Sequence, residues 1–87
     1  MAPKETTKIV IHYGGARAPF HAEVPSDETI GTVKAKVMET FRLFEGATTF
    51  YDLYLDHRVL ADLEEPVGRV AGGRTKLELQ LMKQYHG

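Results

Sequence analysis

Apolar and polar residues alternate in four stretches of this chain, and a period of two is typical of β-strands with one buried face. In the last stretch, Leu77, Leu79 and Leu81 fall on one face, and polar residues lie between them. The first two stretches flank a glycine-rich turn, so we expect them to form a β-hairpin. The four stretches are residues 8–13, 19–25, 50–55 and 75–82.

Between the second and third strands the apolar residues recur every three or four positions, which predicts an amphipathic helix. Thr29 is the expected N-cap, because a threonine hydroxyl can accept a hydrogen bond from a free N–H group in the first turn. The apolar stripe consists of Ile30, Val33, Val37, Phe41 and Phe44. Later in the chain, Leu63, Val67 and Val70 indicate a short helical turn beneath the sheet.

The order of these elements is hairpin, helix, third strand, short strand, helical turn and final strand. It predicts an α+β fold, in which a mixed four- to five-stranded sheet has one helix packed on one face. The final strand must return through the middle of the sheet and run parallel to the first, as in a β-grasp arrangement. Residues 8–82 are expected to form the domain, with a disordered lead-in at 1–7 and a flexible tail at 83–87.

The composition argues against several classes of function. A formal charge of -1 and the lack of a basic run give no support for binding nucleic acid or an anionic membrane. The chain has no cysteine, which removes a thiolate nucleophile and a cysteine-ligated zinc site. No apolar stretch approaches the ~20 residues that span a bilayer, and MAPKETTK lacks the apolar core of a signal peptide. A cytoplasmic monomer is therefore expected.

The remaining polar constellations predict neither a catalytic site nor a metal site. His12 and His21 are both expected on the open side of the first hairpin, but structural zinc needs four ligands. The stretch AGGRTK lacks the G-K-[ST] ending of a phosphate-binding loop, and it precedes a strand instead of a helix. Ser26 has no evident base partner for nucleophilic chemistry. The sequence therefore predicts a protein that is not an enzyme and that holds no cofactor.

The segment EVPSDETIGTVKAKV resembles the passage from the second strand into the helix in the ubiquitin-like family, with one extra residue before the helix cap. The pattern T-I-x-x-V-K-A-K is matched from Thr29 to Lys36, and TKLELQL is similar to the family's fifth strand. This resemblance implies the ubiquitin-like β-grasp fold and a role as a protein modifier. The chain looks like a divergent relative, similar to the bacterial ubiquitin-like proteins encoded beside activating, conjugating and deconjugating enzymes.

The resemblance implies that the terminal carboxylate is the site of conjugation. Members of the family are adenylated there by an activating enzyme, passed to a cysteine as a thioester and joined to a lysine of a target protein. Gly87 would supply the carboxylate, and Tyr85 and His86 would be recognised by the activating enzyme or a protease. Family tails end in Gly-Gly, whereas His86 is penultimate here, and an end without a role is the simpler alternative. A sulfur carrier, thiocarboxylated at its terminal glycine, is a third function that shares the first step.

The open face of the sheet is the second candidate site. Tyr54 is expected on the outward side of the third strand, beside His12 and Gln80, where an exposed tyrosine can anchor a partner protein. A non-covalent ubiquitin-like interaction domain that uses this face is the alternative function, although a β-favouring residue also suits an ordinary strand position. The apolar patch of the family is expected to be largely absent here. Lys34 and Lys36 are candidates for chain formation, or else ordinary charges on the helix surface.

Overall fold

The computed structural model describes residues 5–85, in which a helix crosses one face of a five-stranded sheet. The helices are α1 (Ile30–Thr40) and α2 (Val67–Ala71). The strands are β1 (Thr6–Tyr13), β2 (Phe20–Pro25), β3 (Thr49–Leu55), β4 (Arg58–Val59) and β5 (Lys76–Tyr85). Their order across the sheet is β2-β1-β5-β3-β4.

The first and last strands, β1 and β5, lie side by side in the middle of the sheet and run parallel. All other neighbouring strands are antiparallel. A parallel pair cannot be closed by a tight turn and needs a long crossover, which here includes α1 and the strands at both edges. The predicted α+β fold, with a mixed sheet and one helix packed on one face, is confirmed.

The core lies between the sheet and α1, where every second strand residue meets one stripe of the helix. On the helix, Ile30, Val33 and Val37 are almost completely buried. Burying an aliphatic side chain of this size contributes about 1.5–3 kcal/mol relative to leaving it exposed. The deepest side chains of the sheet are Ile9, Ile11, Leu53, Leu77, Leu79 and Leu81.

Both helices start close to the predicted positions. The Thr29 hydroxyl accepts a hydrogen bond from the Thr32 N–H at 3.2 Å, so it caps α1 as predicted. The predicted helical turn is α2, which buries Val67 and Ala71. Leu63 lies in the turn before α2 and is 40% exposed, so its predicted burial is wrong. Within residues 5–85, no helix is long and apolar enough to cross a membrane.

The end of α1 differs from the sequence prediction. The helix stops at Thr40, and Arg42 then adopts a positive φ of 56°, which turns the chain out of the helical path. Phe41 still packs on the core and stacks on Tyr13, with the ring centroids 5.8 Å apart. Phe44 is 82% exposed, so the prediction that it belongs to the buried stripe is wrong.

The first strand begins earlier than predicted. Thr6 and Thr7 pair with β2, so the predicted disordered lead-in at 1–7 is wrong for these two residues. Thr7 is buried, and its hydroxyl lies 2.8 Å from the Ser26 hydroxyl, which gives each a hydrogen-bond partner. Residues 1–4 of the predicted lead-in lie outside the part of the chain that the structure describes.

The last strand continues further than predicted. β5 runs to Tyr85 and pairs there with Thr49 of β3, so the predicted flexible tail at 83–87 is wrong for residues 83–85. The physical reason is that β3 begins early enough to offer backbone partners to these residues, and an extended chain beside a free strand edge gains ladder hydrogen bonds. Residues 86 and 87 lie outside the described part of the chain.

Candidate partner face and carboxyl-terminal strand

Three predicted site residues form one row on the open face, the face of the sheet opposite α1. The register pairs His12 of β1 with Gln80 of β5, and Gln80 in turn with Tyr54 of β3. The side chains alternate with buried residues such as Leu79 and Leu53, which point to the core. The structure therefore brings His12, Gln80 and Tyr54 together, with His12 and Gln80 exposed and Tyr54 half-buried.

Tyr54 is held along the sheet by a neighbour that the sequence did not single out. The Gln84 side-chain amide donates a hydrogen bond to the Tyr54 hydroxyl at 2.9 Å. Gln84 lies four residues beyond Gln80, the cross-strand partner of Tyr54, so the tyrosine side chain extends along β5 toward its carboxyl-terminal end. The alternation that places Gln80 on the open face places Gln84 there as well, and this signal was available in the sequence.

Apolar side chains adjoin this row. Met82 is 47% exposed on the same face of β5, and Val59, which pairs with Tyr54 from β4, is 41% exposed. Phe50, which pairs with Gln84, is half-buried on the outward side of β3. Single apolar residues therefore surround the polar Gln80 on the open face.

A polar cleft of about 260 Å³ opens beside the row, between the ends of β1, β5 and β3. His12, Tyr54, His57 and Glu78 are among the residues that line it. Among residues 5–85, no group of three or more His, Asp or Glu side chains is arranged to hold a metal ion. His21 lies opposite Val10 in the register, so the two hairpin histidines are diagonal neighbours and not a directly facing pair.

β5 has two parts with different neighbours. Its inner segment, Lys76–Leu81, pairs with β1 throughout, and Gln80 and Leu81 at its end pair with β3 as well. The pairing with β1 ends at Leu81, so the end segment, Met82–Tyr85, pairs with β3 alone. Of the predicted tail residues, Tyr85 is the last residue of β5, and His86 and Gly87 lie outside the described part of the chain.

The outer side of β3 is fastened to the loop that follows α1. The Glu45 carboxylate accepts hydrogen bonds from the Tyr51 N–H at 3.0 Å and from the Lys34 ammonium at 3.2 Å. The Gly46 N–H donates to the Thr49 carbonyl at 2.8 Å. The Tyr51 N–H, and secondarily Lys34, lower the pKa of Glu45 below its usual range against an opposing desolvation effect.

The two candidate lysines differ in accessibility. Lys34 is engaged by Glu45, and its side chain is only 14% exposed. Lys36 pairs with Glu28 at 3.1 Å, and its side chain is 48% exposed. Lys36 is therefore the more accessible of the two amines, and Lys34 is held against the loop after α1 by Glu45.

Solved structures share this architecture. Caldiarchaeum subterraneum ubiquitin superposes with a TM-score of 0.72 at 25% identity, over 94% of this chain and 98% of that one. This chain has the ubiquitin-like β-grasp fold. The UBL domain of yeast Ddi1 gives a TM-score of 0.71 at 15% identity, over 100% and 99% of the two chains. Trypanosoma brucei ATG8 gives 0.69 at 17% identity, over 95% and 78%. No protein-family model and no curated protein matches the sequence.

The ubiquitin-like fold supports a role in protein–protein interaction in general. The similar structures include a ubiquitin as well as the UBL domain of another protein. Because one fold hosts many functions, a specific function has to be argued from this chain's own residues. In this ubiquitin-like chain they are the row His12–Gln80–Tyr54 and the carboxyl-terminal part of β5.

Proposed function

We propose that this protein is a ubiquitin-like modifier that is joined, through the carboxylate of Gly87, to amines of target proteins by separate activating and conjugating enzymes. The observation that best supports the proposal is the likeness to an archaeal ubiquitin over nearly the full length of both chains. In the sequence, the glycine follows two residues after the end of β5, and a residue without a Cβ leaves its carbonyl carbon open to attack.

The chemistry belongs to the enzymes, and this chain supplies the acyl group. The Gly87 carboxylate attacks the α-phosphate of ATP, which forms an acyl adenylate and releases pyrophosphate. A cysteine thiolate of the enzyme then displaces AMP to form a thioester, and a lysine amine displaces the thiol to form an isopeptide bond. Tyr85 and His86 are proposed to be recognised by the activating enzyme or by a deconjugating protease. The protein is proposed to act in the cytoplasm as a monomer, without nucleic acid, membrane or cofactor.

The test uses the purified protein with ATP and a lysate of its source. We expect adducts that are 9.7 kDa heavier than their targets, and branched peptides that carry the Gly87 acyl group on lysine in mass spectrometry. Deleting Gly87 should abolish the adducts, whereas Lys36→Arg should remove only products in which a second copy is attached to Lys36. Adducts that persist without Gly87, or a native chain that continues past Gly87 without processing, would overturn the proposal.

A non-covalent interaction domain is the second candidate, and the row on the open face favours it. His12, Gln80 and Tyr54 form one surface with Met82 beside it, and polar residues next to an exposed apolar side chain are typical of a protein contact. If the lysate yields no adducts, a partner identified by mass spectrometry should bind the purified protein in calorimetry. Tyr54→Ala should weaken that binding. Glu23→Ala is the control and should leave the binding unchanged, because Glu23 lies on the edge strand β2, away from the row.

The third candidate, a sulfur carrier, is distinguished in the same experiment. It shares the adenylation step, but sulfide then displaces AMP and leaves a thiocarboxylate on the unattached chain. The intact mass of the protein recovered from the lysate reports this product directly. Detection of a thiocarboxylate without isopeptide adducts would favour sulfur transfer over conjugation as the function of the protein.

A further inference from the structure

We infer that Gln84 and Tyr54 are positioning residues for the carboxyl terminus: their hydrogen bond holds the end segment of β5 on β3, so that partner binding at Tyr54 and release of the chain end are coupled. The inference rests on the proposed function for its biological meaning. Its physical content, the link between the open face and the end segment, stands on the geometry of these two side chains.

The end segment is attached to the sheet on one side and lacks the buried leucines of the inner segment. Met82–Tyr85 has a ladder with β3 only, whereas the inner segment pairs with β1 along its whole length and places Leu77, Leu79 and Leu81 in the core. Met82 and Lys83 are exposed, so releasing them uncovers little apolar surface. A ladder on one side with few buried contacts opens at a small fraction of the global unfolding free energy.

Strand β3 is not the partner that moves when the ladder opens. Its outer side is fixed by the Glu45 carboxylate on the Tyr51 N–H and by the Gly46 N–H on the Thr49 carbonyl. Opening the contact between β3 and the end segment therefore displaces β5 and leaves β3 in place.

Release of the end segment changes how far the terminus reaches. In the sequence two residues follow Tyr85, and two residues span at most about 7 Å. With Met82–Tyr85 released, six residues are available, and these span about 20 Å. An enzyme whose active site lies at the bottom of a narrow channel therefore needs the released form.

The Gln84–Tyr54 hydrogen bond couples this release to the open face. Tyr54 lies at one end of the row His12–Gln80–Tyr54, and its hydroxyl accepts the hydrogen bond that Gln84 donates from the end segment. A partner that draws the tyrosine ring outward, or that bonds its hydroxyl, removes an interaction from the closed end segment. By thermodynamic reciprocity, releasing the end segment must also raise the affinity of such a partner for Tyr54.

Hydrogen exchange of the backbone amides of Met82–Tyr85, measured by NMR, tests the coupling without any enzyme. Loss of one hydrogen bond should speed exchange of the protected amides in this segment by roughly two- to tenfold in Tyr54→Phe and in Gln84→Ala. Glu78→Ala, on the same strand and face but outside the row, is the matched control and should leave these rates unchanged. The double variant should exchange no faster than either single one, because both substitutions remove the same bond. Unchanged rates in both single variants would overturn the inference.

The adduct assay then separates this inference from the proposed function. Faster exchange together with faster adduct formation by Tyr54→Phe supports both. Faster exchange in a protein that forms no adducts in any variant leaves the positioning role intact and overturns conjugation. A third outcome overturns the positioning role alone. In that outcome the adducts depend on Gly87, but wild type and Tyr54→Phe form them at equal rates and show equal rates of hydrogen exchange.

Discussion

The inner and end segments of β5 belong to one continuous strand but have opposite properties. The inner segment has three leucines that are almost completely buried, and it pairs with β1 along its whole length, with β3 joining at Gln80 and Leu81. The end segment pairs on one side only, and Met82 at its start is exposed. The difference shows that the two halves of one strand can contribute unequally to the core of the fold.

The contrast arises from the lengths of the neighbouring strands. β1 stops at Tyr13, opposite Leu81, and the chain then turns away toward β2. β3 begins at Thr49 and therefore extends past that point, opposite Tyr85. The position at which β5 changes from two neighbours to one is set by the turn after β1 and not by β5 itself.

The largest expected effect comes from truncating a side chain of the inner segment. Leu79→Ala should lower the free energy of unfolding by about 2–5 kcal/mol, because it leaves a cavity beneath α1 where the surroundings relax only partly. Met82→Ala in the end segment should change it by less than about 0.5 kcal/mol, as is usual for exposed positions. Urea unfolding of both variants measures the two values. Similar losses in the two variants would contradict the division of β5 into two segments.

An intermediate effect is expected from removing the end segment altogether. A chain that stops after Leu81 should fold and lose about 1–2 kcal/mol, since four cross-strand pairs with β3 are absent. A chain that stops after Tyr85 is the control and should unfold at the wild-type urea concentration. A truncation after Leu81 that fails to fold would show that the end segment is part of the cooperative core.

The smallest effect on stability is expected from a substitution of Glu45, whose carboxylate supports the outer side of β3. Glu45→Gln keeps an oxygen that can accept a hydrogen bond from the Tyr51 N–H but loses the charge that attracts Lys34. The free energy of unfolding should therefore fall by only about 0.5 kcal/mol, as for other partly exposed ion pairs. Glu39→Gln, at an exposed position of α1, is the matched control. A loss equal to that of Leu79→Ala would mean that Glu45 is essential to the sheet.

The pH dependence of this pair of variants has a definite sign. The Glu45 pKa in the folded protein is lowered from its ordinary value of 4.5, so folding favours the ionised carboxylate. Its contribution is fully present above about pH 4.5 and disappears as the pH falls through the folded-state pKa. The difference in stability between wild type and Glu45→Gln should therefore shrink on acidification in urea titrations. A difference that grows toward low pH would contradict this assignment.

The fold was largely predictable because its elements follow simple periods. The leucines of β5 and the Thr29 cap of α1 are local signals, and the structure places both as the sequence indicated. The end of α1 was not predictable in the same way, since Phe41 and Phe44 continue the helical spacing. Only the positive φ of Arg42, which depends on the loop that joins β3, breaks the pattern.

The candidate site shows the same limit. The row of His12, Gln80 and Tyr54 follows from strand alternation once the strand order is known, and it was predicted. The contact of Gln84 with Tyr54 depends on how far β3 extends beside β5, which the sequence does not state. The role of Glu45 likewise depends on a loop folding back onto a strand edge, and no periodic pattern encodes that return.

The central pairing of the first strand with the last has a consequence for synthesis. β1 is the first of the five described strands to be synthesised, but its parallel neighbour β5 is the last of them, so the middle of the sheet stays open until β5 has been made. Contacts between such distant parts of a chain form slowly, because a long loop must close first. The nascent chain therefore exposes the hydrophobic side of β1 to chaperones for as long as β5 remains in the exit tunnel.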